Sequence, residues 1–170
     1  MGSLFEQAES ISKGLCPAHL AIGRLACEGC RFQEQLQSWF TNIAPQFDHL
    51  DPYYNLALAN YHALQLFLCK NYTFYTCWEG ERAPSLTADM IARHTADAIA
   101  LSDTVLRCSN IPGILLLFPL RMAGTNAVNA SQKDEILKLL TQIFRNGFMV
   151  SERIRVDLRE VWEYQEMGSG

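Results

Sequence analysis

The sequence predicts an all-α fold: a single compact multi-helix domain of about six or seven helices spanning residues 1–170. Three observations lead there. The chain's 170 residues make one domain by size, long enough to bury a core without staples. No segment alternates apolar and polar residues with β-branched enrichment for long enough to build a sheet. Apolar residues instead recur at three- and four-residue intervals, in runs that open on Pro, Ser, Thr or Asp and close on Gly or Pro.

The pattern over residues 4–13 predicts a short helix that stops at Gly14. Pro17 suits the first turn of a second helix over about 18–43, with Ile22, Leu25, Ala26, Phe32, Leu36, Trp39 and Phe40 at helical spacing. Gly29 is a weak point within it, and Pro45 closes it. Asp51-Pro52 opens a third helix to about residue 78, the most apolar and central one. Its polar residues Asn55, His62, Gln65, Cys69 and Thr76 recur at intervals of three, four and seven, which places them on one face. That face is either the solvated side of a core helix or a polar seam lining a cavity.

The stretch 79–84 reads as a loop. A fourth helix over about 87–108 has Asp89 in its first turn and Arg107 in its last, matching the helix dipole. Ile91, His94, Ala98, Leu101, Val105 and Cys108 form its apolar stripe, so His94 sits on the buried side, as a hydrogen-bonded core residue or as a functional one. Ile111-Pro112-Gly113 starts a fifth helix that Pro119 should kink. The sixth, residues 131–145, has Ser131 and Asp134 as its capping pattern and Asn146-Gly147 as its left-handed stop. The seventh, to about 164, buries Val150, Ile154, Leu158, Val161 and Trp162 behind a charged outer face.

Composition excludes several classes. A net charge of −4 without any basic stripe denies the chain the electrostatic footprint of a nucleic-acid binder. Of six cysteines only Cys27 and Cys30 are close, as Cys-Glu-Gly-Cys, and no second pair completes a tetrahedral zinc set, so no metal is expected. The first fifteen residues lack the basic start and apolar core of a secretory signal. The run 111–124 falls short of the ~20 residues a membrane span needs, and it contains Pro119 and Arg121.

Arg121 is the one charge in that apolar run and should be buried against a partner: Asp97, Asp103, Asp157, helix-end carbonyls or an anionic ligand. A small-molecule site, if one exists, is expected where the third helix's seam faces the fourth and fifth helices. His62 and His94 would be the acid–base groups of an enzyme, and Tyr61, Gln65 and Arg121 the ligand contacts.

Four short elements occur in order between about residues 54 and 162. They are Tyr61-His62-Ala63-Leu64, Ala83-Pro84-Ser85-Leu86 with His94 downstream, Pro119-Leu120-Arg121-Met122-Ala123-Gly124, and Gly147-Phe148-Met149-Val150 followed by Asp157-Leu158-Arg159 and Trp162. The series resembles the C-terminal regulatory domain of fungal zinc binuclear-cluster transcription factors, with Met122 where the family signature has valine. The resemblance implies an all-α module that answers to cellular state or a small molecule and helps control transcription, often of secondary-metabolite genes. DNA contact in that family belongs to a six-cysteine cluster and basic linker. Cys27-Glu28-Gly29-Cys30 does not replace them, so direct DNA binding is not expected here.

Three roles compete. The first is a binding module for a small hydrophobic, polyketide- or terpenoid-like ligand. The second is a cofactor-independent cyclase or isomerase using a shaped apolar pocket. The third is a helical scaffold that pairs through exposed apolar surface, including as a homodimer. No phosphate loop, nucleophile elbow or dinucleotide fingerprint calls for a cofactor. The address implied is cytoplasmic or nuclear, with no membrane partner.

Overall fold

A computed structural model describes residues 19–74, 78 and 82–167, with side-chain environments from Ile22 onward. Six α-helices make up most of it: α1 His19–Ser38, α2 Pro52–Phe74, α3 Ala88–Cys108, α4 Leu117–Asn126, α5 Ala130–Arg145 and α6 Val150–Met167. Among the described residues there is no strand, so the fold is all-α as the sequence predicts. The short helix expected at 4–13 lies outside the described residues, as does Thr76 of the polar seam.

The apolar stripes of α3, α4, α5 and α6 meet in the main core, around Ala98, Val105, Leu116, Leu120, Leu140 and Leu158. Removing such side chains from water is the main term holding the helices together, at roughly 25 cal/mol per Å². Helix α2 packs along α3 and against α4. Helix α1 is attached by a smaller cluster in which Ile22, Leu25 and Ala26 meet Leu68, Tyr72 and Trp78. Gly29 is no weak point there: the Tyr72 ring fills the space a Cβ would take, and the Tyr72 hydroxyl donates to the Leu25 carbonyl at 2.8 Å.

The helix ends show which local rules applied. Helix α1 does not simply stop at Pro45. It widens into a π-turn over Trp39–Ile43, where the Ala44 amide reaches back to the Trp39 carbonyl. A 3₁₀ turn, Ala44–Gln46, then takes Pro45 into its first positions. Thr87 caps α3 by accepting from the Met90 amide.

The expected Pro119 kink does not form. Residues Gly113–Leu116 make a separate 3₁₀ turn and α4 begins at Leu117, so Pro119 falls in its first turn, where an amide hydrogen has no intrahelical use. The cap of α5 is Asn129, accepting from the Gln132 amide at 2.9 Å, and Ser131 lies inside the helix. Gly147, at φ 96°, ends α5 as expected, with Phe148 N–H donating to the Ile143 carbonyl and Gly147 N–H to that of Phe144. Val150 is exposed rather than core, because it opens α6 before the stripe Ile154, Leu158, Trp162 turns inward.

Candidate functional site

The packing of α2 on α3 brings two histidines 32 positions apart into direct contact. His62 and His94 face each other through their Nδ1 atoms at 2.8 Å, with ring centroids 5.0 Å apart. They are 7% and 9% exposed. At that distance one nitrogen carries a hydrogen and the other accepts it, so the pair shares one hydrogen across the contact.

Burial pushes both imidazoles below their ordinary range, and each is also disfavoured by a neighbour: His94 acts on His62, and Arg93 on His94. Asp97 opposes both shifts. Its carboxylate lies 3.8 Å from His62 Nδ1, beyond hydrogen-bond distance, and acts on the pair through charge. Whichever ring donates across the contact, the accepting ring keeps its own hydrogen on Nε2.

Tyr61 extends the polar group toward α1. Its ring stacks on Phe40 of the π-turn, with centroids 4.5 Å apart and planes 5° from parallel. Its hydroxyl donates to Gln37 Oε1 at 3.1 Å. Burial raises the Tyr61 hydroxyl above its usual range, and the neighbouring Gln65 side chain works against that. Gln65 is 2% exposed, and its Oε1 has no hydrogen-bond partner among the described residues.

Beside this group lies a cavity of about 380 Å³. Its walls come from α1 (Gln33, Glu34, Gln37), from Gln65 and His94, and from residues 82–86. That last segment runs across α1 and is fastened to it twice, by Cys30 Sγ donating to the Arg82 carbonyl and Gln33 Nε2 donating to that of Ser85, each at 3.2 Å. On the other side Cys69 is buried against Leu86, and burial pushes its thiol up.

Of the residues expected at a site, His62, His94, Tyr61 and Gln65 come together and Arg121 does not. The expectation that Arg121 is buried is corrected: its side chain is 53% exposed. Because α4 begins at Leu117, its inward face is Leu117, Leu120, Ala123 and Gly124, and Arg121 points the other way. Asp157 is its partner, at 3.7 Å. Arg121 borders a separate groove with Phe67, Phe118 and Met122.

Sequence reasoning missed the wall from α1 and the strap over 82–86. Only the three-dimensional packing brings these to the seam. Asp97 was legible, three residues after His94 and therefore on the same face, although as a carboxylate for Arg121 rather than for the histidines.

Among the described residues, no group of three or more His, Cys, Asp or Glu side chains is placed to hold a metal ion. No described helix is long and apolar enough to cross a membrane.

No curated protein and no solved structure matches the chain. The family model of the fungal specific transcription factor domain matches residues 26–170, which takes in α2 to α6, about two thirds of α1 and the whole histidine site. The chain therefore belongs to the fungal specific transcription factor domain family.

Proposed function

We propose that this domain binds a small molecule, a hydrophobic polyketide- or terpenoid-like compound of secondary metabolism, and that occupancy of the cavity is its regulatory signal. One observation carries the reading: a cavity of about 380 Å³ sits against a buried polar group, with Gln65 and His94 in its wall. Ligand sites combine apolar walls with a few fixed polar atoms, and a volume at the lower end of the usual ~300–1,000 Å³ suits a compact ligand. Leu86, Ala83 and Met90 supply apolar wall, and His94 and Gln65 supply orientation.

The test is thermal unfolding against a panel of polyketide and terpenoid intermediates. A true ligand at about 100 times its Kd stabilises the fold by about 2.7 kcal/mol, and Ala83→Trp, which fills the cavity, abolishes the shift. If no compound moves the midpoint, or the Trp variant responds like the parent, the reading fails.

A second reading, a cofactor-independent cyclase or isomerase, is favoured by the histidine pair alone. Neutral imidazoles near pH 7 are competent bases, and a shared proton lets one ring take up a hydrogen as the other releases one. Such an enzyme would exchange a substrate carbon-bound hydrogen with D₂O, and His94→Phe would stop that exchange. Unlabelled intermediate after prolonged incubation excludes it.

A further inference from the structure

We infer that Cys27 and Cys30 form a reversible dithiol switch, whose oxidation by hydrogen peroxide unfastens residues 82–86 from α1. The inference stands apart from the binding reading, because it concerns the strap beside the cavity whether or not a ligand enters.

The two thiols are three residues apart within α1, and both are free. That spacing puts them on one side of the helix, with Cα atoms about 5 Å apart. A disulfide spans Cα separations of about 4.4–6.8 Å, so the pair is within reach of a bridge. The Cβ atoms fit less easily, at about 5–6 Å on a helix against about 3.5–4.5 Å in a disulfide. The turn must tighten to close the bond, and a bridge closed under strain is readily reduced again.

The two sulfurs differ in surroundings. Cys27 is exposed, while Cys30 is half-buried and lies in the cavity wall. Cys30 Sγ donates to the Arg82 carbonyl at 3.2 Å, one of the two bonds that fasten the strap to α1. Burial also pushes the Cys30 thiol up, which slows its own attack on an oxidant. Cys27 is thus the thiol that peroxide oxidises first.

The reaction consumes one hydrogen peroxide. The Cys27 sulfur attacks a peroxide oxygen and the O–O bond breaks, giving a sulfenic acid and water, the water taking the thiol proton. The Cys30 sulfur then attacks the Cys27 sulfur, the S–S bond forms, and the hydroxyl leaves as a second water with the Cys30 proton. Both sulfurs are oxidised and the peroxide is reduced. A disulfide sulfur carries no hydrogen, so the Arg82 carbonyl loses its donor however the bridge is oriented. Of the two bonds only that from Gln33 to the Ser85 carbonyl remains.

Trypsin reads both events on the whole chain, reduced or treated with hydrogen peroxide. Peptide 25–31, between Arg24 and Arg31, holds both cysteines, so an internal bridge makes it lighter by two hydrogens. The lighter peptide is expected after peroxide and should revert with dithiothreitol. The carbonyl that Cys30 holds belongs to the Arg82–Ala83 bond, itself a tryptic site. Limited cleavage there is expected to run about threefold faster in the bridged chain, the worth of one weak hydrogen bond when cleavage follows opening.

Cys27→Ser keeps the fastening and cannot bridge, so peroxide should leave its cleavage rate unchanged. Cys30→Ala lacks the fastening and, reduced, should be cut like the bridged parent. If Cys30→Ala does not fold, the parent and Cys27→Ser decide between them. Sulfinic acid in place of the bridge, or pairing of either sulfur with a different cysteine, overturns the switch. A bridged chain cut at the reduced rate overturns the unfastening, as does equal acceleration of Cys27→Ser by peroxide. Each of these failures leaves the binding reading to its own thermal test.

Discussion

Two imidazoles at 2.8 Å in a nearly closed environment tie the stability of the domain to pH. An unfolded histidine titrates near 6.5, while burial holds both folded ones lower. Between the two values the unfolded chain binds more protons than the folded one, so stability falls as pH drops below about 6.5 and gains nothing from the pair above it. The charged groups around the pair are Asp97, which softens the effect, and Arg93, which adds to it on His94. Urea midpoints at pH 7.5 and 5.0 test this. The parent should lose more stability on acidification than a His62→Phe/His94→Leu variant, and parallel losses would refute it. Removing only one ring is the harsher change: His62→Phe alone orphans the His94 nitrogen and should cost about 1–3 kcal/mol at pH 7.5.

Where α4 crosses α6, the governing feature is a missing side chain. A Cβ on Gly124 would stand 2.5 Å from Leu158 Cδ1, and Leu158 is fully enclosed by the main core. The same glycine offers its carbonyl to Trp162 Nε1 at 2.8 Å, so the two helices are held by contact and by hydrogen bond at one point. Gly124→Ala is therefore expected to destabilise by about 1–3 kcal/mol through overpacking, read as a lowered urea midpoint with an unchanged slope. Asn129→Ala, which removes the α5 cap, should cost about 1 kcal/mol. If Gly124→Ala proves neutral, α6 is free to slide on α4 and the crossing is looser than described.

At the level of the whole molecule, charge argues against DNA recognition by these 170 residues. The net charge is −4, and two of the three arginines of α6 are already engaged: Arg153 with Asp157, Arg155 with Glu152. Fluorescence anisotropy at physiological salt should show no sequence-selective nanomolar binding to duplex DNA, which depends largely on clustered phosphate contacts. The same scale shows what a sequence can carry. The 3.6-residue stripes of α3, α5 and α6 were legible because each buries one face against the core, and so was the shared face of His62 and Gln65. Arg121 was misread because the start of α4 decides which way it points, and that start is set by the switch from 3₁₀ to α geometry at Leu117. The wall formed by α1 and residues 82–86 was illegible, since the contact between Gln33 and Ser85 spans 52 positions and leaves no periodic trace.

The π-turn at Trp39–Ile43 fixes the rotational phase of α1. A π-turn holds one residue more than the α-helical turn it replaces, and each residue advances an α-helix by about 100°. Deleting Thr41 would let the turn relax to ordinary α geometry while Pro45 still anchors the exit. The helix before it would then be rotated by about 100° relative to α2. Gln33 and Gln37 would swing off the cavity, and the Tyr72 ring would meet a residue with a Cβ in place of Gly29. A single-codon deletion is thus expected to dismantle the site while leaving the α3–α6 core folded.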